Sequence, residues 1–171
     1  MAKFLAVCAA LLLLGGSAWA DGVTVGNRAP ELDGAVKDAG GKKFRLKALR
    51  GGWVVVTFGA SWCKPCKAEL AAWDKLAPSY AGRVTFVAVN IDNDRKKGEK
   101  FVKKLKIRNL RVVYSPESKT TSADSYVGGD DPKFPTTFVI DPKGVVRHVH
   151  REYHDGDVPR LSKKLDELIG K

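Results

Sequence analysis

Two cysteines, Cys63 and Cys66, are separated by two residues in the stretch SWCKPCKAE. This spacing is typical of a redox-active dithiol, of one half of a zinc site, or of a structural disulfide. A zinc site usually needs four ligands, and the sequence contains no second pair of cysteines. A disulfide that closes so short a loop removes little chain entropy and therefore stabilises a fold little. The spacing favours redox chemistry, with the zinc site and the structural disulfide as alternatives.

The sequence around the two cysteines predicts a strand before them and a helix after them. The continuous apolar run WVVVTF, residues 53–58, is typical of a buried strand. Apolar residues spaced by three and four predict a helix over residues 67–80, with Pro78 and Gly82 at its end. Cys63 then lies at a helix N-terminus, where free N–H groups and the helix dipole favour a thiolate. We therefore predict that Cys63 is the attacking sulfur.

The residues that follow Cys63 suit the same chemistry. Lys64 and Lys67 add positive charge, which favours a nearby thiolate. Pro65 fits a first helical turn, because its missing N–H costs little there. Cys66 lies three residues after Cys63 on the same helix face, so it can resolve a mixed disulfide.

The rest of the chain predicts one α/β domain over residues 21–171. Residues 21–52 combine glycines, lysines and short apolar alternations, which indicates an N-terminal arm with a small hairpin. Parallel strand–helix–strand units followed by an antiparallel strand pair predict a mixed sheet with helices on both faces. The predicted further strands are 84–91, 111–116, 138–140 and 145–149, and the predicted further helices are 95–107, 119–127 and 161–169.

The N-terminus has the pattern of a secretory signal peptide over residues 1–20. Lys3 precedes an uncharged apolar run, residues 4–14, and an A-x-A pattern ends just before Asp21. The alternative is an uncleaved membrane anchor, although the run is shorter than the ~20 residues of a spanning helix. Cleavage removes the third cysteine, Cys8, and predicts export, to the periplasm in a Gram-negative cell. Disulfides form and persist in such compartments.

The stretch WVVVTFGASWCKPCKAEL resembles the active-site region of the thioredoxin superfamily. The chain as a whole resembles the exported TlpA/ResA-like thiol-disulfide oxidoreductases, from VGNRAPEL at Val25 through VTFVAVNID and FPTTFVIDPKG to the last helix. The resemblance implies a thioredoxin-like fold with a central mixed sheet and an N-terminal β-hairpin extension. It also implies an enzyme that exchanges thiols and disulfides on proteins and needs no cofactor.

The resemblance assigns roles to individual residues. Cys63 corresponds to an exposed nucleophile and Cys66 to a buried resolving cysteine. Pro135 corresponds to a proline held in cis opposite the dithiol, and Phe134 supplies the backbone that pairs with substrate. Trp62 is expected to pack beside the site. The predicted substrate-binding residues are therefore Trp62, Lys64, Pro65 and Phe134.

The predicted site contains one acidic residue, Glu69, and lacks the buried aspartate that thioredoxins carry on the preceding strand. Glu69 corresponds to an acid that this family carries three residues after the second cysteine, where it can exchange a proton with Cys66. The alternative is an ordinary solvent-facing glutamate. Thr57 stands where thioredoxins carry a buried aspartate, and a hydroxyl cannot act as a carboxylate base at neutral pH. Residues 128–133 lengthen the loop before Phe134, which suggests an unusual choice of partner.

The resemblance favours a reductant, for example of apocytochrome or other exported cysteines. The alternatives are an oxidase that introduces disulfides, or a copper- or zinc-delivery module that combines the dithiol with one of three histidines, His148, His150 and His154. The expected partners are protein substrates with thiols or disulfides and a membrane or exported redox donor, with the enzyme as a monomer. The net charge is +11, and the basic run 95–111 has no interleaved aromatics. This argues against nucleic-acid binding and predicts a solvated helix face.

Overall fold

The computed structural model describes residues 22–32, 35–115, 122–128 and 131–170. The predicted signal peptide therefore lies outside the described residues. The strands are β1 (Lys37–Asp38), β2 (Trp53–Gly59), β3 (Val84–Asn90), β4 (Arg111–Tyr114), β5 (Thr136–Ile140) and β6 (Val146–Arg151). The helices are α1 (Lys64–Leu76), α2 (Arg95–Leu105), α3 (Ser122–Val127) and α4 (Asp157–Ile169), and 3-10 turns cover Leu46–Leu49 and Ala77–Tyr80.

The six strands form one mixed sheet in the order β1-β4-β3-β2-β5-β6. Strand β3 is parallel to both of its neighbours in the sheet, β2 and β4. Strand β5 is antiparallel to both β2 and β6, and β1 is antiparallel to β4. The predicted parallel units followed by an antiparallel pair are confirmed. Because β2 lies inside the sheet, it can present the dithiol from a rigid element.

Strand β2 is apolar except at Thr57 because both of its faces are covered. Val54, Val56 and Phe58 point into one core, which α3 and the N-terminal segment close. Val55 points into the other core, which α1, α2 and α4 cover. A strand buried on both faces reads as a continuous apolar run rather than an alternating one. The predicted arrangement of helices on both faces of the sheet is confirmed.

The predicted N-terminal hairpin spans Val36 to Phe44. The Asp38 N–H donates to the Lys42 carbonyl at 2.8 Å, and the Phe44 N–H donates to the Val36 carbonyl at 3.0 Å. Its first arm is β1, which pairs with β4 and so extends the sheet at one edge. The hairpin therefore covers the sheet edge that β4 would otherwise expose.

Several helix boundaries differ from the sequence-based expectation. Helix α1 begins at Lys64 rather than at residue 67, because Cys63 caps it and Pro65 fits its first turn. Helix α2 ends at Leu105 because Lys106 adopts a left-handed conformation with φ of 56°. None of the helices in the described part of the chain is long and apolar enough to cross a membrane.

Candidate active site: a dithiol beside a buried carboxyl group

Cys63 and Cys66 form a disulfide at the N-terminus of α1, with an S–S distance of 2.00 Å. Cys63 is the capping residue, and its sulfur accepts the Cys66 N–H at 3.2 Å. Cys63 retains 5% of its surface exposed and Cys66 none, so both are buried, and only Cys63 can be reached from solvent. Lys64, Pro65 and Lys67 are exposed around them.

The end of β2 lies directly against the second sulfur. A Cβ atom at Gly59 would be 2.9 Å from the Cys66 sulfur and 3.2 Å from the Cys66 Cβ. Any larger residue at Gly59 would therefore push α1 away from the sheet. Sequence reasoning missed this residue. A glycine that ends a continuous apolar strand just before a C-x-x-C could have indicated a close approach of the strand to the helix.

The Phe134–Pro135 peptide bond is cis. Pro135 is buried, and it lines a cavity of about 10 Å³ together with Cys66, Glu69 and Thr57. This volume is close to the space that one water molecule needs. The structure thus brings the predicted proline, the second cysteine and the predicted acid together around one small cavity.

An aromatic pair lies beside the dithiol. The Trp62 ring packs edge-on against the Phe134 ring, with centroids 5.7 Å apart and an interplanar angle of 83°. Trp62 remains 60% exposed. It therefore packs beside the site as expected, and most of its surface is also open to an incoming molecule. The lengthened loop 128–133 lies partly outside the described residues, and Lys133 within it pairs with Asp131.

Glu69 is 1% exposed, so the alternative of a solvent-facing glutamate is wrong. Its Oε2 accepts the Thr57 hydroxyl at 2.6 Å and its Oε1 accepts the Thr137 hydroxyl at 2.8 Å. Burial raises the pKa of Glu69 from its ordinary value of 4.5 to about 7. The two hydroxyls and the Trp73 indole oppose that increase, and the negative charge of Asp157 adds to it.

The two threonines reach one carboxyl group because of strand register. Thr57 on β2 lies directly opposite Thr137 on β5, so both side chains point to the same face of the sheet. Sequence reasoning treated Thr57 only as a missing acid and did not single out Thr137. Both are polar residues within strands that are otherwise almost entirely apolar, which was the available signal.

The three histidines lie on β6 and in the segment that follows it. The His150 Nε2 lies 3.1 Å from the Asp157 Oδ2 at the start of α4, and the exposed His154 donates its backbone N–H to the same carboxylate. Burial lowers the pKa of His148, and the positive charges of His150 and Lys164 act in the same direction. Within the described residues, no group of three or more histidine, cysteine or acidic side chains is arranged to hold a metal ion.

Comparison with known proteins identifies the family. A model of the AhpC/TSA family matches residues 25–149. The chain belongs to this family. It is 30% identical over 157 residues to the thioredoxin-like protein YneN of Bacillus subtilis, which covers 86% of this chain and 89% of YneN. It is 33% identical over 128 residues to the thiol-disulfide oxidoreductase ResA of Geobacillus thermodenitrificans, which covers 74% of this chain and 69% of ResA.

A solved structure agrees on the fold. The chain matches a structure from Chlorobium tepidum, assigned as a thiol:disulfide interchange protein DsbE, with a TM-score of 0.74. The match has 24% sequence identity and covers 86% of this chain and 99% of the other. The thioredoxin-like fold is therefore confirmed. The protein is a thiol-disulfide oxidoreductase with a Cys63–Cys66 disulfide, as the sequence predicted.

Proposed function

We propose that this oxidoreductase is an exported reductant that transfers two electrons from its dithiol to disulfides of other exported proteins. The observation that carries the thiol–disulfide exchange in this proposal is the buried Glu69 carboxyl group, which shares one small cavity with Cys66. With a pKa of about 7, this group can take up and release a proton at neutral pH. Sulfur exchange through a buried cysteine needs such a group, because only the thiolate attacks.

The proposed reaction has two steps. In the first step the Cys63 thiolate attacks one sulfur of a substrate disulfide, the substrate S–S bond breaks, and one substrate thiolate leaves. In the second step the Cys66 thiol gives its proton to the Glu69 carboxylate and attacks the Cys63 sulfur. This step forms the Cys63–Cys66 disulfide and releases the second substrate thiolate. The substrate gains two electrons and the enzyme loses two.

The proposed order of the two cysteines is supported by their exposure, because Cys63 keeps contact with solvent and Cys66 does not. In the reduced enzyme, the N–H groups at the start of α1 favour the Cys63 thiolate, and Lys64 adds positive charge close to it. Pro65 occupies the first turn of the helix and leaves the N–H groups on either side of it available.

Substrate binding is proposed at the surface formed by Trp62 and Phe134. Trp62 offers an exposed aromatic face next to the attacking sulfur. Phe134 lies two residues before β5 begins at Thr136, where its backbone can pair with an extended substrate segment. Pro135 then keeps the backbone of this segment against the dithiol cavity. Lys64 and Pro65 complete the proposed contact surface from the start of α1.

The reducing direction is supported by the resemblance of the whole chain to TlpA/ResA-like proteins. The test is to equilibrate the enzyme with glutathione buffers of known potential and to measure the fraction with the Cys63–Cys66 disulfide. A reductant should have a potential near that of thioredoxin, about −270 mV. A value near that of DsbA, about −120 mV, would instead identify an oxidase. A membrane or exported donor must then reduce the disulfide again after each cycle.

Export is proposed from the pattern of residues 1–20. The test is to express the full chain in a Gram-negative cell and to sequence the N-terminus of the protein recovered from the periplasm. Cleavage before Asp21 supports export of a processed enzyme, which we expect to act as a monomer. An intact N-terminus in the membrane fraction would support the anchored alternative.

A further inference from the structure

The segment between β2 and α1 is a tight turn that carries the first cysteine. The Cys63 N–H donates to the Ala60 carbonyl at 3.2 Å, which places Ser61 and Trp62 at the corner of the turn. The orientation of this turn therefore decides where the Cys63 sulfur and the Trp62 ring face an incoming protein.

Asp92 holds this turn with both oxygens of its carboxylate. Its Oδ2 accepts the Ser61 backbone N–H at 2.9 Å, and its Oδ1 accepts the Ser61 hydroxyl at 2.7 Å. Asp92 follows β3, which is the parallel neighbour of β2, so the ends of both strands meet at this edge of the sheet. The contact thus joins two adjacent strand ends on either side of the dithiol turn.

The Asp92 carboxylate is itself tightly held. It is 3% exposed, and its Oδ2 accepts a third hydrogen bond from the Asn90 side-chain amide at 2.8 Å. The Asp92 N–H donates back to the Asn90 Oδ1 at 3.3 Å. The ion pairs found among the described residues do not include Asp92. A buried carboxylate that relies on neutral donors needs each of them in place, because an unmade hydrogen bond at a buried charge is costly.

Helix α2 fixes the same network from the other side. Gly98 is buried against the Asn90 side chain, and a Cβ atom at Gly98 would lie only 2.1 Å from the Asn90 Oδ1. An alanine at Gly98 would therefore displace the Asn90 amide that holds Asp92. This gives a second way to disturb the turn, from a helix that contains neither Cys63 nor Cys66.

The geometry points to Asp92 as a positioning residue for thiol–disulfide exchange: through Ser61 it fixes the turn that presents Cys63 and Trp62 to a protein substrate, and Asn90 and Gly98 hold its carboxylate in place. The bond-making steps remain those of the dithiol. The inference applies whichever way electrons flow, because the same turn presents Cys63 in both directions. It goes beyond the proposed function, since it assigns a role to residues outside the cavity shared by Cys66 and Glu69.

The test compares a protein substrate with a small reagent. The full chain is reduced, and two rates are measured at alkaline pH, where cysteine thiolates predominate. One rate is the single-turnover reduction of insulin disulfides, and the other is the alkylation of Cys63 by iodoacetamide. A positioning role predicts that Asp92→Asn and Gly98→Ala each slow the insulin reaction about tenfold or more. The iodoacetamide rate should change by less than about threefold, because a small reagent needs no docking surface.

The chain offers a matched control. Asp74 also accepts two backbone N–H groups of a loop, from Arg108 at 2.8 Å and Asn109 at 2.6 Å. It lies eleven residues along from Cys63, which is about 16 Å on an α-helix. Asp74→Asn should leave both rates within about twofold of those of the parent protein, because it disturbs a comparable contact away from the dithiol.

Two further variants make the outcome decisive. The double variant with Asp92→Asn and Gly98→Ala should be no slower with insulin than Asp92→Asn alone, because both changes act through one network. If Asp92→Asn does not fold, Ser61→Ala removes only one of the hydrogen bonds and should still slow the insulin reaction selectively. Two outcomes would overturn the inference. In one, the insulin rates of the variants stay within threefold of the parent's rate. In the other, the insulin and iodoacetamide rates of folded variants fall by the same factor.

Discussion

Replacing Glu69 with glutamine should make the oxidised protein more stable at pH 8. Glutamine has nearly the same shape as glutamate and can bond to the hydroxyls of Thr57 and Thr137, but it carries no charge. The buried carboxylate in the parent protein accepts the hydroxyls of Thr57 and Thr137, and none of the ion pairs among the described residues includes it, so its ionisation is costly. The substitution therefore isolates the cost of that ionisation.

The size and sign of the effect follow from the pKa of Glu69, which burial raises from 4.5 to about 7. Below pH 4.5 the carboxyl group is protonated in both the folded and the unfolded chain, so it costs nothing. Between pH 4.5 and 7 the unfolded chain loses the proton first, and the folded state becomes progressively less favourable. Above pH 7 the cost is constant at about 3 kcal/mol, from 1.36 kcal/mol for each pH unit between the two values.

The assay is urea unfolding of the oxidised protein at several pH values between 4.5 and 8. The disulfide keeps Cys63 and Cys66 from titrating. Near pH 4.5 we expect Glu69→Gln and the parent to agree within about 1 kcal/mol. At pH 8 the variant should be more stable by about 3 kcal/mol, which corresponds to a Tm higher by about 6–12 °C for a domain of this size.

The matched control is Glu99→Gln, which changes an exposed glutamate on α2 that pairs with Arg95. It should alter stability by less than about 1 kcal/mol at every pH, because exposed ion pairs contribute little. A stability difference between Glu69→Gln and the parent that stays constant from pH 4.5 to 8 would refute the reasoning. That result would mean that Glu69 ionises as easily in the folded chain as in the unfolded one.

Three further predictions concern the same site and its supports. Thr57→Val removes one donor to the Glu69 carboxylate, so the pKa of Glu69 should rise above 7, as followed by its carboxyl infrared band; an unchanged pKa contradicts this. Trp62→Ala should slow insulin reduction and change unfolding stability by less than about 1 kcal/mol, because the ring is mostly exposed; a large loss of stability would show a packing role instead. Asp141→Asn should destabilise by about 1–3 kcal/mol at pH 7, because this carboxylate accepts two backbone N–H groups and pairs with Arg147. Burial acts to raise the pKa of Asp141, but these interactions together outweigh it and lower the pKa. The contribution of Asp141 is therefore present above pH 3.8 and should fade in acid unfolding as pH falls through the folded-state pKa.

The fold could be predicted from the sequence because its central strands are continuous apolar runs and its helices have regular apolar spacing. The runs WVVVTF and VTFVAVNI correspond to β2 and β3 almost residue for residue. Helix ends were less predictable, because caps such as the left-handed Lys106 depend on the backbone and not on an apolar pattern. The pairing of the N-terminal hairpin with β4 joins segments about 75 residues apart, and no local pattern specifies it.

Residue spacing could predict only the contiguous part of the candidate site, and the family resemblance supplied Phe134 and Pro135, which lie about 70 residues further along the chain. Cys63 and Cys66 follow from spacing, and Glu69 follows from the family resemblance, which implies an acid one helical turn after Cys66. The burial of Glu69 between two threonines depends on the register of β2 against β5, which a single sequence does not encode locally. The contact between Asp92 and Ser61 likewise joins residues 31 positions apart. Sequence reasoning missed these contacts because they depend on long-range strand register and packing rather than on residue type.

The most direct test of the mechanism is to trap the mixed disulfide. The reduced Cys66→Ser variant is incubated with a peptide disulfide, and the products are mapped by mass spectrometry. The mechanism predicts a stable adduct of the peptide on Cys63, because the resolving thiol is absent, and no comparable adduct on Cys66 in the matched Cys63→Ser variant. An adduct that forms on Cys66 as readily as on Cys63, or no adduct on Cys63, would contradict it.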